Sequence, residues 1–157
     1  MSFQGRGKYY EELTIGSEIP MPTRTVFEVD VVNFACFSGD FAPLHVDRSY
    51  ASQTIFGDNV AHGLIQLAFV TGWLDKIGLL EGTGQAFHGI EWKWKKPVKF
   101  GDTISGTLTV IEGRTSSLPG SGVIKFGVIV TNQRGEEVSE GKMEMMVKRV
   151  PVTTTKS

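Results

Sequence analysis

From Glu91 onward the apolar and polar positions alternate in twos, while the stretch before it is dominated by helical spacing. In Glu91-Trp92-Lys93-Trp94-Lys95 both tryptophans fall on one face. Thr103–Ile111 puts Ile104, Leu108 and Val110 on one face and threonines on the other. Val123–Val130 is almost wholly apolar, as a central strand is. Glu140–Val147 sets Lys142, Glu144 and Met146 against Gly141, Met143, Met145 and Val147. Pro97 with Gly101-Asp102, Pro119 to Gly122, and Arg134-Gly135 punctuate these runs. No helical pattern intervenes, so the expected sheet is antiparallel.

The earlier half predicts a strand at Thr23–Val29 and then a helix at Val31–Phe37 with Asp30 as its cap and Ser38-Gly39 as its stop. A loop broken by Pro43 follows, then a short helix at Asp47–Ser52 with Asp47 as cap. The long helix Ala61–Ile77 is apolar nearly all round, and a helix of that kind is buried on most faces. One buried helix wrapped by a curved antiparallel sheet is an α+β arrangement, known as the hot-dog fold. No linker or repeat divides the chain. One domain is expected over residues 8–150, with loose ends at 1–7 and 151–157.

Composition narrows the function. The 157 residues are 40% apolar, enough for a real core. Sixteen basic against 17 acidic side chains leave a formal charge of -1, which argues against nucleic-acid binding by bulk charge. The single cysteine, Cys36, cannot form an internal disulfide. Set between apolar neighbours, it reads as a small buried hydrophobe. The longest apolar stretch, 59–74, contains His62 and Gln66 and is shorter than the roughly 20 residues of a membrane span. No secretion-type leader is visible, so a cytoplasmic protein without a membrane partner is expected.

Two places could carry chemistry. Asp40 lies just past a helix end and His45 five residues on, beyond Pro43. A carboxylate with a pKa of about 3.9 and an imidazole near about 6.5 make a workable base and acid pair. The same residues also suit a turn former and a polar loop side chain. The second place is His62-Gly63, opening the buried helix. Its first N–H groups lack partners within the helix, and a glycine lets a carbonyl oxygen approach. Close packing of helix on sheet asks for glycine equally well. Lys93, Lys95 and Lys96 form a basic stripe suited to phosphates or to a solvated face, and His88 has no assigned role.

The segment FACFSGDFAPLHVDRSYASQTIFGDNVAHGLIQLAFV resembles the MaoC-like hydratase/dehydratase family, of the (R)-specific enoyl-CoA hydratase type. The matching residues are Ser38, Gly39, Asp40, Pro43, Leu44, His45 and Asp47, then Phe56, Gly57, Ala61, His62 and Gly63. The likeness runs over roughly residues 7–149. It implies that Asp40 and His45 hold one water between them and that the Gly63 N–H donates to a thioester carbonyl. The reaction implied is reversible hydration of a trans-2-enoyl thioester. It needs no cofactor and no metal; the CoA or acyl-carrier thioester is itself the substrate. His62, Phe56, Leu64 and Thr71 are the further substrate-binding candidates. Ala42 stands where the family usually has Asn. Rival readings are a non-catalytic acyl-CoA-binding module and an acyl-CoA thioesterase; the latter needs a carboxylate near the central helix, and residues 59–74 hold none. The resemblance also implies a homodimer or a multimer of dimers.

Overall fold

The computed structural model describes residues 6–151. The ends expected to be loose lie outside these at 1–5 and 152–157. Residues 6 and 7 are instead tied down, because the Arg6 guanidinium donates to the Glu81 carboxylate at 2.7 Å and the Gly7 N–H to the Glu81 carbonyl at 2.9 Å.

Five strands form one antiparallel sheet: β1 (Glu18–Thr25), β2 (Gly84–Trp94), β3 (Thr103–Thr115), β4 (Ser121–Asn132) and β5 (Glu137–Lys148). Their spatial order is β1-β3-β4-β5-β2. Among the described residues four α-helices and one 3-10 turn (Tyr10–Glu12) precede β2; the helices are α1 (Glu28–Ser38), the one-turn α2 (Pro43–Val46) and α3 (Arg48–Ala51), and α4 (Gly63–Lys76). The apolar β4 lies between β3 and β5, as its sequence requires. Ile104, Leu108 and Val110 of β3 are buried, and they join Phe126, Met143 and the α4 residues Val70 and Trp73 in one core. This is the hot-dog arrangement, a long helix lying in the curve of a sheet.

Several boundaries move from the expected ones. β1 starts at Glu18 and ends at Thr25, so only its end overlaps the expected Thr23–Val29. The chain enters α1 at Glu28, three residues before the expected start at Val31, and Asp30 is its third residue rather than its cap. From there the Asp30 carboxylate reaches back to accept the Phe27 N–H at 2.9 Å, which satisfies a free donor from inside the helix. α2 falls in the segment expected to be a loop; four residues are too few to show a period. β2 starts at Gly84, seven residues before the run at Glu91, because two irregularities, at Gly84/Ala86 and Phe87/Gly89, interrupt the alternation.

Two burial expectations are corrected. α4 is covered on one side only: Ile65, Gln66, Val70, Trp73 and Leu74 are buried, whereas Leu64, Ala68 and Thr71 are open, because one sheet covers one helix face. Cys36 is exposed rather than buried. α1 turns Val31 and Ala35 inward, and the next position along the helix, a rotation of about 100°, faces out. Phe37, 90% exposed, lies on the same open side. Among the described residues no helix is long and apolar enough to cross a membrane.

Truncating the ring at the centre of β4 tests this core. Phe126→Ala is expected to lower unfolding free energy by about 3–5 kcal/mol in urea titration, since Phe126 is fully buried between two paired strands. A loss below about 1 kcal/mol would contradict its placement.

Candidate active site

The site begins where α1 stops. Gly39 caps that helix with φ 79°, a left-handed conformation that glycine adopts without strain, and its N–H closes on the Ala35 carbonyl. The turn delivers Asp40 to the surface, with its side chain 52% exposed. One carboxylate oxygen accepts the N–H of Ala42 at 3.2 Å, and the Asp40 N–H donates to Ser38 Oγ at 3.2 Å. Ala42 is the N-cap of α2 and Pro43 its first residue, where a missing N–H costs nothing. That single turn carries His45.

Backbone carbonyls fix both imidazoles. His45 Nδ1 lies 2.7 Å from the Val60 carbonyl oxygen and so donates to it, which leaves Nε2 free with its lone pair. His62 Nε2 donates to the Asp40 carbonyl oxygen at 2.9 Å and lies 3.8 Å from a carboxylate oxygen of the same residue. The two rings stack with centroids 3.8 Å apart and planes tilted 31°. Phe34 of α1 closes the far side of His62 at 4.8 Å. His62 is the N-cap of α4, and Gly63 is its first residue.

Two links hold this end of α4 in place. The Ala61 N–H donates to the Val98 carbonyl at 2.8 Å, and Val60 pairs with Lys99 as an isolated antiparallel bridge. Asn59 reaches back to the Leu44 carbonyl at 3.0 Å. Asp47 caps α3 by accepting the Tyr50 N–H at 3.1 Å, as its sequence position predicts.

Polar atoms of Asp40, His45 and His62 therefore lie within 4.8 Å of one another. One nitrogen of each imidazole lies on a backbone carbonyl, which leaves the other nitrogen of each ring for a proton or another partner.

Beside it runs a groove of about 450 Å³, lined by Phe56, Val60, Gly63, Leu64, Gln66 and Trp94 together with Lys95 and Lys96. The Trp94 indole rests on Gly63; a Cβ there would lie 2.6 Å from the indole nitrogen. Glycine is thus required for packing, while the Gly63 N–H, first in α4, has no acceptor within the helix.

Of the remaining sequence candidates, Phe56 and Leu64 line the groove. Thr71 does not: it is exposed, and its hydroxyl donates to the Ala68 carbonyl at 2.8 Å. Lys95 pairs with Glu137 and Glu140, and Lys96 with Glu136. His88 is exposed. Gln66 and Trp94 were not among the site candidates. The one visible signal was Gln66 as an amide inside an otherwise apolar run.

Fold and site together define a hot-dog domain in which the loop bearing Asp40 and His45 is set against the first turn of α4. Within that class, the chain belongs to the MaoC-like domain family, whose model matches residues 12–132. It is 32% identical over 139 residues to an (R)-specific enoyl-CoA hydratase of Rhodospirillum rubrum, covering 88% of this chain and 91% of that protein. It is 40% identical over 103 residues to the protein MaoC of Klebsiella aerogenes, a match to 65% of this chain but only 30% of that longer protein. Among solved structures, a monoamine oxidase regulatory protein from Archaeoglobus fulgius superposes with a TM-score of 0.87 at 34% identity, covering 92% of this chain and 97% of that one. R-hydratase PhaJ1 from Pseudomonas aeruginosa superposes at 0.75 with 29% identity, covering 95% and 94%.

His62 is only 3% exposed, and its Nδ1 is buried without a partner. Burial pushes its pKa below the ordinary 6.5; the bond to the Asp40 carbonyl opposes this, the neighbouring His45 adds to the depression, and the Asp40 charge opposes it. The folded chain therefore takes up this proton less readily than the unfolded chain. The His62 contribution to stability is complete above a pH of about 6.5 and is lost as pH falls toward the depressed value. Melting temperature is expected to drop more steeply between about pH 6.5 and 5 in the wild type than in His62→Gln, which keeps a donor for the Asp40 carbonyl but does not titrate. Parallel curves would contradict a buried neutral imidazole.

Proposed function

We propose that this chain catalyses the reversible hydration of trans-2-enoyl-CoA thioesters to (R)-3-hydroxyacyl-CoA. The observation that supports the reading is the gathering of Asp40, His45 and His62 polar atoms within 4.8 Å, with Gly63, next in the chain after His62, lining the groove. Water is a weak nucleophile until its proton is taken. With Nδ1 donating to the Val60 carbonyl, neutral His45 presents Nε2 as the base. The Asp40 carboxylate orients the same water and offsets the charge of the imidazolium that forms. Hydroxide adds to the β-carbon, and the proton returns from His45 to the α-carbon. Dehydration runs the same steps backward. Charge that gathers on the thioester oxygen is met by the Gly63 N–H, a donor of a kind that contributes about 3 kcal/mol in comparable sites.

The family's usual Asn is replaced by Ala42, yet the Ala42 backbone N–H still holds the Asp40 carboxylate. That bond keeps the carboxylate positioned without the Asn. A thioesterase is less well supported: the first carboxylate of α4 is Asp75, exposed near its far end. The thioester's carrier, CoA or acyl carrier protein, would leave the groove past Lys95 and Lys96.

A second copy of the chain is the natural partner. β2 is an open sheet edge carrying exposed Phe87 and Ile90, and the uncovered side of α4 adds Leu64. Sedimentation equilibrium is expected to give twice the chain mass or a multiple of that; a monomer at micromolar concentration would contradict the homodimer.

The chemistry is checked by loss of the enoyl-thioester absorbance. Asp40→Asn and His45→Gln should each slow hydration of crotonyl-CoA and longer homologues by about 10²–10⁴-fold with melting temperature little changed. Near-normal turnover in either variant would end the assignment.

A further inference from the structure

Gln66 lies one turn past Gly63 on the same face of α4 and lines the groove. It is 2% exposed, and its Oε1 is buried with no hydrogen-bond partner. Phe56, Val60, Leu64 and Trp94 make the surrounding wall apolar. A buried amide oxygen without a donor is costly, and one methylene-rich residue in its place would remove that cost.

Two more unpartnered groups occupy the layer behind this wall. They are the Trp92 indole N–H and the Ser139 hydroxyl. Trp92 opposes Gly141, and Trp94 opposes Ser139, across the β2–β5 pair. Directly opposed residues share a face, and the Trp94 indole touches Gly63. Ser139 therefore points toward α4, as does Trp92, which packs against the same core. The polar groups stand in the layer between α4 and the β2–β5 end of the sheet, where the rest is apolar.

We propose that Gln66 is a ligand-recognition residue that hydrogen-bonds a hydroxyl carried by the acyl chain beyond C3, so that the groove prefers an acyl thioester hydroxylated further along its chain over a plain alkyl one. A hydroxyl suits a carboxamide because it can donate to Oε1 and accept from Nε2. An unsubstituted chain leaves Oε1 unpaired, and sites built around a hydrogen bond discriminate strongly against ligands that lack it. An anion is disfavoured at an acceptor oxygen. The other source of a donor is an amide of the carrier arm. That arm carries charged phosphates, which favour the part of the lining with Lys95 and Lys96 over the buried, uncharged Gln66. The inference rests on the groove being a thioester site, but its test does not require turnover.

Titration calorimetry of the full chain with saturated acyl-CoA esters separates these cases. The probes are terminally hydroxylated esters of graded chain length and their unsubstituted counterparts. At one chain length the wild type is expected to bind the hydroxylated ester about tenfold more tightly. Gln66→Met and Gln66→Leu should erase or reverse that preference. Both variants should melt no lower than the wild type, which shows that the fold survives. Equal affinities in the wild type at every length would overturn the proposal. So would an equal loss for both ester series in the variants, which would assign the bond to the carrier arm. A Gln66-dependent preference found together with no hydration of any enoyl-CoA ester by the wild type would sink the hydratase reading and leave this one standing.

Discussion

The hydrogen bond from His62 Nε2 to the Asp40 carbonyl oxygen, 2.9 Å long, joins parts of the chain 22 residues apart. On one side is the loop after α1, which otherwise projects into solvent. On the other is the head of α4, whose inner face the sheet covers. The same imidazole stacks on His45 and immediately precedes Gly63. One buried side chain thus sets the separation of a carboxylate, an imidazole and a free backbone amide. The sheet below supplies the rigidity: the α4 head is tied to the segment before β3 through Ala61–Val98 and Val60–Lys99.

That constraint explains why the site tolerates a half-exposed carboxylate. Asp40 need not be held by burial, since its backbone is held by His62 and its carboxylate by the Ala42 N–H. His45 needs a defined tautomer, and the Val60 carbonyl supplies it. Preorganisation of this kind would lower the reorganisation needed when charge develops in the proposed hydration. The groove adds a dry wall on the far side of Gly63, where Trp94 excludes any side chain larger than hydrogen.

Much of this architecture was legible in the residues. Strand alternation at Thr103–Ile111 and the apolar run at Val123–Val130 fixed the middle of the sheet, because those strands have one or both faces buried. Edge β2 was harder to read, since its bulges break the period and most of its positions are open. The start of α1 was misplaced because an aspartate can cap from inside a helix as well as from its boundary. Cys36 was misjudged because apolar neighbours in sequence are not neighbours in space on a helix. For the site, the pattern from Ser38 to Gly63 named Asp40, His45 and Gly63, but their convergence depends on contacts 15 and 22 residues apart that spacing alone does not reveal. Gln66 carried a weaker signal, one amide among apolar residues, whose meaning emerges only once its Oε1 is seen to lack a partner.

The central claim is that water adds across a carbon–carbon double bond and leaves the thioester intact. Running the reaction on crotonyl-CoA in oxygen-labelled water and weighing the products by mass spectrometry tests it most directly. The account requires one labelled oxygen in the acyl chain of a still-intact CoA ester of (R) configuration. Label appearing instead in a free carboxylate with release of thiol, or no label in any product, would contradict it.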